Sequence, residues 1–133
     1  MKIKVITLWQ PWASLVAHGY KQLETRGWST KYRGSLLIHS AKKWSKEQRQ
    51  FHEQHSKEIL GSADLPFGSM LAICELTEVV PVEDIQEILT ERERLFGDYS
   101  PGRYAWTLDN MELFQTPVPW KGQQGLWQVD IEM

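Results

Sequence analysis

Six short β-forming stretches, punctuated by glycine and proline, leave this 133-residue chain little choice of architecture. KVITL at 4–8, QLETR at 22–26 and SLLIHS at 35–40 come first. GSMLAICELTEVVPV at 68–82, RYAWTL at 103–108 and LWQVDIE at 126–132 follow. Their β-branched and aromatic residues suit a pleated, packed surface. QLETR alternates loosely and reads as an edge or cleft-lining strand, whereas SLLIHS reads as a buried one. Helical signals are fewer. QPWASLVAHG places Pro11 in a first turn and Gly19 just past the end, with Trp12, Leu15 and Val16 on one face. Ser45 and Gln48 make a capping box for a helix near 45–60, whose thin apolar face (Phe51, Ile59, Leu60) puts it on the surface. PVEDIQEIL at 81–89 reads as a short acidic helix or turn, and PVPWKGQQG at 117–125 as a Pro/Gly-rich connection.

Neither a repeat nor a linker divides the chain, so residues 1–133 read as one α+β domain, mainly β. Many short strands in so small a chain predict a compact curled sheet or a mostly antiparallel barrel, with helices inserted between strands. A 41% hydrophobic and 24% charged composition is that of a soluble globular protein. No apolar run approaches the ~18 residues that span a bilayer, and MKIKVITLW is too short and too β-like for a signal peptide. A single cysteine, Cys74, excludes an internal disulfide framework and reads as a small core filler, so a reducing cytoplasm is the expected location. The seven tryptophans exceed what a core of this size needs, and those at Trp9, Trp12, Trp28 and Trp44 lie in polar sequence that fits a partly exposed aromatic surface.

Charge is distributed unevenly. Residues 21–49 hold eight Lys or Arg against Glu24 and Glu47, a net of +6, while residues 53–98 hold eleven Asp or Glu against Lys57, Arg92 and Arg94, a net of −8. The overall −2 disfavours tight backbone-dominated nucleic-acid binding, but a polyanion can use the first half. Several chemistries are absent. His52 and His55 flank Glu53 on the surface helix without the further convergent ligands that zinc needs, so no metal is expected. No nucleophile elbow or Walker-type loop is present, GQQG at 122–125 lacks the following helix of a phosphate loop, and no cofactor is implied.

GYKQLETR at 19–26 remains. Glu24 and Arg26, two apart, project from one face of a strand, where the guanidinium orients the carboxylate. Lys21 and Glu24, three apart, converge only if a glycine-led turn bends the chain near Lys21. The plain alternative is a surface ion pair worth ~0–1 kcal/mol beside a solvated lysine.

The stretch resembles the G-x-K-x-x-E-x-R signature of the ASCH domain family, named for a transcriptional coactivator's homology region, through Gly19, Lys21, Glu24 and Arg26. LWQPWASLVAHG, YRGSLLIHSAKKW, GRYAWTLDN and KGQQGLW are similar to blocks of one bacterial branch, so the resemblance covers nearly the whole chain. It implies a PUA-like fold, a small mostly antiparallel β-barrel, with a cleft that binds RNA or a modified nucleoside or nucleotide. Mapped onto this chain, the expected cleft has Lys21, Glu24 and Arg26 at its floor. Trp9, Gln10, Trp12 and Trp28 would supply stacking and base-edge contacts, with His39, Ser40 and Tyr104 at strand ends and Lys42 toward a phosphate. Each has a plainer reading, with Trp12 as a core anchor, His39 as a buried backbone partner and Tyr104 as a barrel filler.

The resemblance also implies two enzymatic alternatives at the same cleft. One branch of the family removes the acetyl group of N4-acetylcytidine with a lysine, a threonine and a glutamate. Lys21 matches the lysine, but Glu24 stands where the threonine nucleophile would be, leaving amide hydrolysis to a water activated by Glu24 and assisted by Lys21. Other relatives are metal-independent ribonucleases, for which Glu24 or His39 would be the base, Lys21 the acid and Arg26 the charge stabiliser. A protein-interaction module using the acidic 75–98 region is a third reading.

Overall fold

A computed structural model of the chain describes residues 1–61 and 64–132. The chain runs β1 (Lys2–Leu8), α1 (Trp12–Ala17), β2 (Leu23–Arg26), β3 (Gly34–Ser40), α2 (Lys46–Phe51), a π-helical turn (His52–Ser56) and α3 (Lys57–Leu60). β4 (Ser69–Pro81) is followed by two 3-10 turns (Val82–Asp84 and Gln86–Ile88), α4 (Glu91–Phe96), β5 (Tyr104–Pro119) and β6 (Leu126–Asp130). All six strands join one sheet in the order β2-β5-β4-β3-β1-β6, antiparallel except where β1 and β3 run parallel.

Alternation along the central strands sorts their side chains into two cores. Ile6 and Leu8 of β1, Leu36 and Ile38 of β3 and Trp106 of β5 pack with α1 through Ala13, Val16 and Ala17. Ile3 and Val5, Leu37, Met70, Trp127 and Val129 fill the opposite face. A strand buried on both faces must be apolar at successive positions, which is why SLLIHS has no polar phase until its end. Cys74 is a core residue whose thiol is pushed up to about 12, chiefly by burial.

The expected α+β, mainly β and mostly antiparallel fold is the one observed, with the sheet left open: β2 and β6 are its ends, and neither is hydrogen-bonded to the other. Two other expectations need correction. β5 continues to Pro119, well past the expected 103–108 and into the segment expected to be a connection. The helix over 45–60 is interrupted by the π turn and does not stay α-helical throughout. Its capping box is present as expected, with Gln48 N–H donating to Ser45 Oγ at 3.2 Å and Ser45 N–H to Gln48 Oε1 at 2.9 Å. Gln48 is also buried, and its Nε2 donates to the carbonyls of Gln10 and Lys43 at 2.8 and 2.9 Å, locking α2 to the β1–α1 turn.

Candidate functional site

The geometry of the motif begins at Gly19. Its φ of +80°, strained for any residue with a Cβ, turns the chain off α1, and the backbone N–H groups of Tyr20 and Lys21 both donate to the Leu15 carbonyl. That bend brings Lys21 to Glu24. Lys21 Nζ lies 3.2 Å from Glu24 Oε1 and also donates to the Leu23 carbonyl. Glu24 Oε1 further accepts Thr25 N–H at 3.2 Å, while Oε2 faces Arg26 Nη2 at 3.3 Å. The carboxylate thus has a cation on each oxygen. Lys21 is 1% exposed and does not line the adjoining cavity, so it acts on that space through Glu24.

Arg26 extends furthest. Its Nη2 also donates to the Thr7 carbonyl of β1 at 2.9 Å, and its buried Nε has no partner among the described residues. Two cavities lie on either side, of about 440 and 640 Å³, and Thr7, Trp9 and Arg26 line both. The first is floored by Glu24 and Arg26 and walled by Trp9, Trp12, Phe51 and Phe96. Trp12 and Phe51 stack at 4.9 Å with a 37° tilt. Asp98 and Arg103 stand at its rim, where donors from Ser100 hold the Asp98 carboxyl below its usual range. The second cavity lies between the end of β3 and the 120–125 loop and carries Lys42, Lys121 and His39.

The remaining expected residues divide. Trp9 is 51% exposed between the cavities, with Lys43 Nζ 3.9 Å from its ring centroid. His39 lies in the second cavity's wall, with Nδ1 3.1 Å from Thr7 Oγ1 and Nε2 2.7 Å from the Trp120 carbonyl. Nε2 must carry the proton, because a carbonyl only accepts. Thr7 Oγ1 accepts from Trp127 Nε1 at 3.0 Å and donates to Nδ1, so the neutral ring is fully matched. Burial accordingly pulls the His39 pKa down. Gln10 is completely buried, and its amide is spent on Ser14 and the Pro66 carbonyl, leaving nothing for a base edge. Ser40 exchanges bonds with the Ser69 backbone. Trp28 packs edge-on to Trp106 at 5.0 Å, and Tyr104, opposite Arg26 in the ladder, packs on the core. Ser40, Trp28 and Tyr104 line neither cavity.

The family model of the ASCH domain matches residues 6–117. The chain belongs to the ASCH domain family. Among curated proteins, this ASCH domain is 26% identical over 131 residues to activating signal cointegrator 1 of Mus musculus, covering 94% of the chain. It is 27% identical over 131 residues to the same protein of Homo sapiens. The chain spans 22% of the length of each relative. Among solved structures, the ASCH protein of Zymomonas mobilis superposes with a TM-score of 0.59 at 16% identity, covering 96% of this chain and 87% of that one. A variant of it gives 0.60 at 16% identity, covering 98% and 91%. These likenesses concern the fold.

The ASCH domain also builds its cleft from residues that the sequence reading did not place there. Phe51, from the thin apolar face of the surface helix, turns into the cavity, and α4, a helix not among those expected from the sequence, brings Leu95 and Phe96. A signal for α4 exists: Thr90 with Glu93 three residues on is a helix-start signature, and Thr90 Oγ1 accepts Glu93 N–H at 3.1 Å. Glu93 then leaves its own helix and accepts Gln22 N–H at 2.7 Å, pinning α4 to the start of β2. Lys121 and Gly122 sat in the segment read as a connection.

Proposed function

We propose that this ASCH domain binds a base of RNA or of a modified nucleoside in the cavity beside Glu24. The observation that supports this is a slot of about 440 Å³ with aromatic walls from Trp9, Trp12 and Phe51 over a charged floor. That size falls within the ~300–1,000 Å³ usual for small-ligand sites. Aromatic faces stack on any base for about 1–3 kcal/mol, and a carboxylate held in place by two cations accepts from an exocyclic amine or ring N–H. The hydrolytic readings ask Lys21 to work at the reacting atoms, yet its ammonium is enclosed between Leu23 and Glu24. Binding without turnover fits that enclosure better.

The test is titration calorimetry with the four ribonucleosides, N4-acetylcytidine and a short single-stranded RNA, with mass analysis of each mixture after incubation. Saturable binding that Trp12→Ala weakens roughly 5- to 150-fold, and that leaves every ligand intact, is the expected outcome. Deacetylated or cleaved product that Glu24→Gln abolishes would replace binding with hydrolysis. Absence of binding across the panel would overturn the reading.

A further inference from the structure

The second cavity differs from the first in chemistry. Arg26, Lys42 and Lys121 line it, and no Asp or Glu does among the described residues. The first cavity sets Glu24 and Asp98 against Arg26 and Arg103, and α4 gives it only the apolar Leu95 and Phe96. The base slot is thus balanced in charge, whereas the charged residues lining the second cavity are all cationic, with Lys42 from the basic segment and Lys121 from the loop after β5.

The second cavity is also held in shape. Trp120 N–H donates to the Gly68 carbonyl at 3.0 Å, and the Trp120 carbonyl accepts the His39 Nε2–H hydrogen bond at 2.7 Å. Gly122 lies so close to the imidazole that a Cβ there would stand 2.7 Å from His39 Cε1. The 120–125 loop therefore rests on a neutral His39, and the cavity's positive charge comes from Arg26, Lys42 and Lys121. Arg26 stands at the boundary with its bonds among the described residues made through Nη2 and its Nε buried, which leaves Nη1 to donate to an oxygen acceptor from outside the chain. Glu24 pairs with Arg26 from the first cavity's side, and on the second cavity's side Arg26, Lys42 and Lys121 face a space with no carboxylate in its lining among the described residues, which suits a phosphodiester.

Resting on the base-binding reading above, we propose that the cleft takes a strand of at least two nucleotides. One base fills the slot beside Glu24, the linking phosphate lies against Arg26, and the adjoining sugar-phosphate occupies the cavity of Lys42 and Lys121. The ligand is then a polynucleotide segment and not a free nucleoside.

The experiment compares ribonucleosides, their 3′- and 5′-monophosphates, the matching dinucleoside monophosphates and inorganic phosphate by calorimetry on the whole chain. The expected result is a dinucleoside monophosphate bound at least ~10-fold more tightly than its nucleoside, with an added salt slope of about −0.7 per phosphate contacted. In Lys42→Ala/Lys121→Ala that advantage shrinks at least ~5-fold. The single Lys121→Gln variant, at an exposed loop position, gives the same trend should the double variant fail to fold. A nucleoside bound as tightly as the dinucleotide, or an advantage that persists without the lysines, overturns the two-nucleotide proposal and leaves the base slot standing. No binding of any nucleoside or nucleotide overturns both.

Discussion

Arg26 of β2 donates to the Thr7 carbonyl of β1 at 2.9 Å across a gap that no backbone hydrogen bond spans. The same Nη2 pairs with Glu24, so one side chain links two strands and a carboxylate. Arg26→Ala leaves the Thr7 carbonyl and Glu24 short of a partner, and the expected loss is about 1–3 kcal/mol in urea unfolding. Arg26→Lys recovers only part of it, because an ammonium lacks the planar fork. Unfolding midpoints of all three proteins that coincide would show the link to be energetically idle.

Lys21 and Glu24 make a buried pair whose separate halves are worse than neither. Lys21→Met removes the ammonium and leaves the carboxylate with Arg26 and one backbone N–H, so a loss approaching ~3–5 kcal/mol is expected. Lys21→Met/Glu24→Gln is expected to regain more than half of that, since a neutral amide needs no counter-cation there. A double-mutant cycle measures this, and simple additivity of the two single losses would contradict the pairing.

Acid acts on His39. Burial lowers its folded-state pKa below the ordinary 6.5, and the Trp120 carbonyl only partly opposes the shift. The unfolded chain therefore binds the proton more readily. The stabilisation is complete above pH 6.5 and declines as pH falls below it toward the folded value. His52, also lowered by burial, adds a contribution of the same sign. Replacing His39 with Gln, which can still donate to Trp120, is expected to flatten part of the decline between pH 6.5 and 5. A pH profile identical to that of the parent would assign the decline elsewhere.

Glu93 ties α4 to the start of β2 through Gln22 N–H. Glu93→Ala removes that acceptor, and the Gln22 amide is expected to exchange with solvent roughly five- to tenfold faster, as the loss of about 1 kcal/mol requires. Unchanged exchange at Gln22 would mean that other contacts hold α4.

The strands that pack on both faces were legible in the sequence because burial forces an apolar run, as at Leu36–Ile38. The far half of β5 was not. Asn110 takes a positive φ of 54°, and the pairing with β4 shifts register in three places, which breaks the two-residue alternation that marks a strand. Pro117 and Pro119 add a turn-like composition to an exposed strand end. In the motif, the condition that Lys21 needs a glycine-led bend was readable, and the structure places that bend at Gly19. The two cavities were not readable, because Thr7, Glu24, Phe51, Phe96 and Lys121 meet from segments scattered along the chain. Gln10 and Ser40 have the right residue types for ligand contact, but their polar atoms are consumed as staples between segments.

A closed barrel has its bore dictated by strand number and shear, which change only in whole residues. This sheet stops short of closure, and where β2 faces β1 without a shared backbone bond the two strands are joined by the Arg26 side chain. The spacing of β2 and β1 at that point is therefore set by a side-chain contact and not by strand number or register.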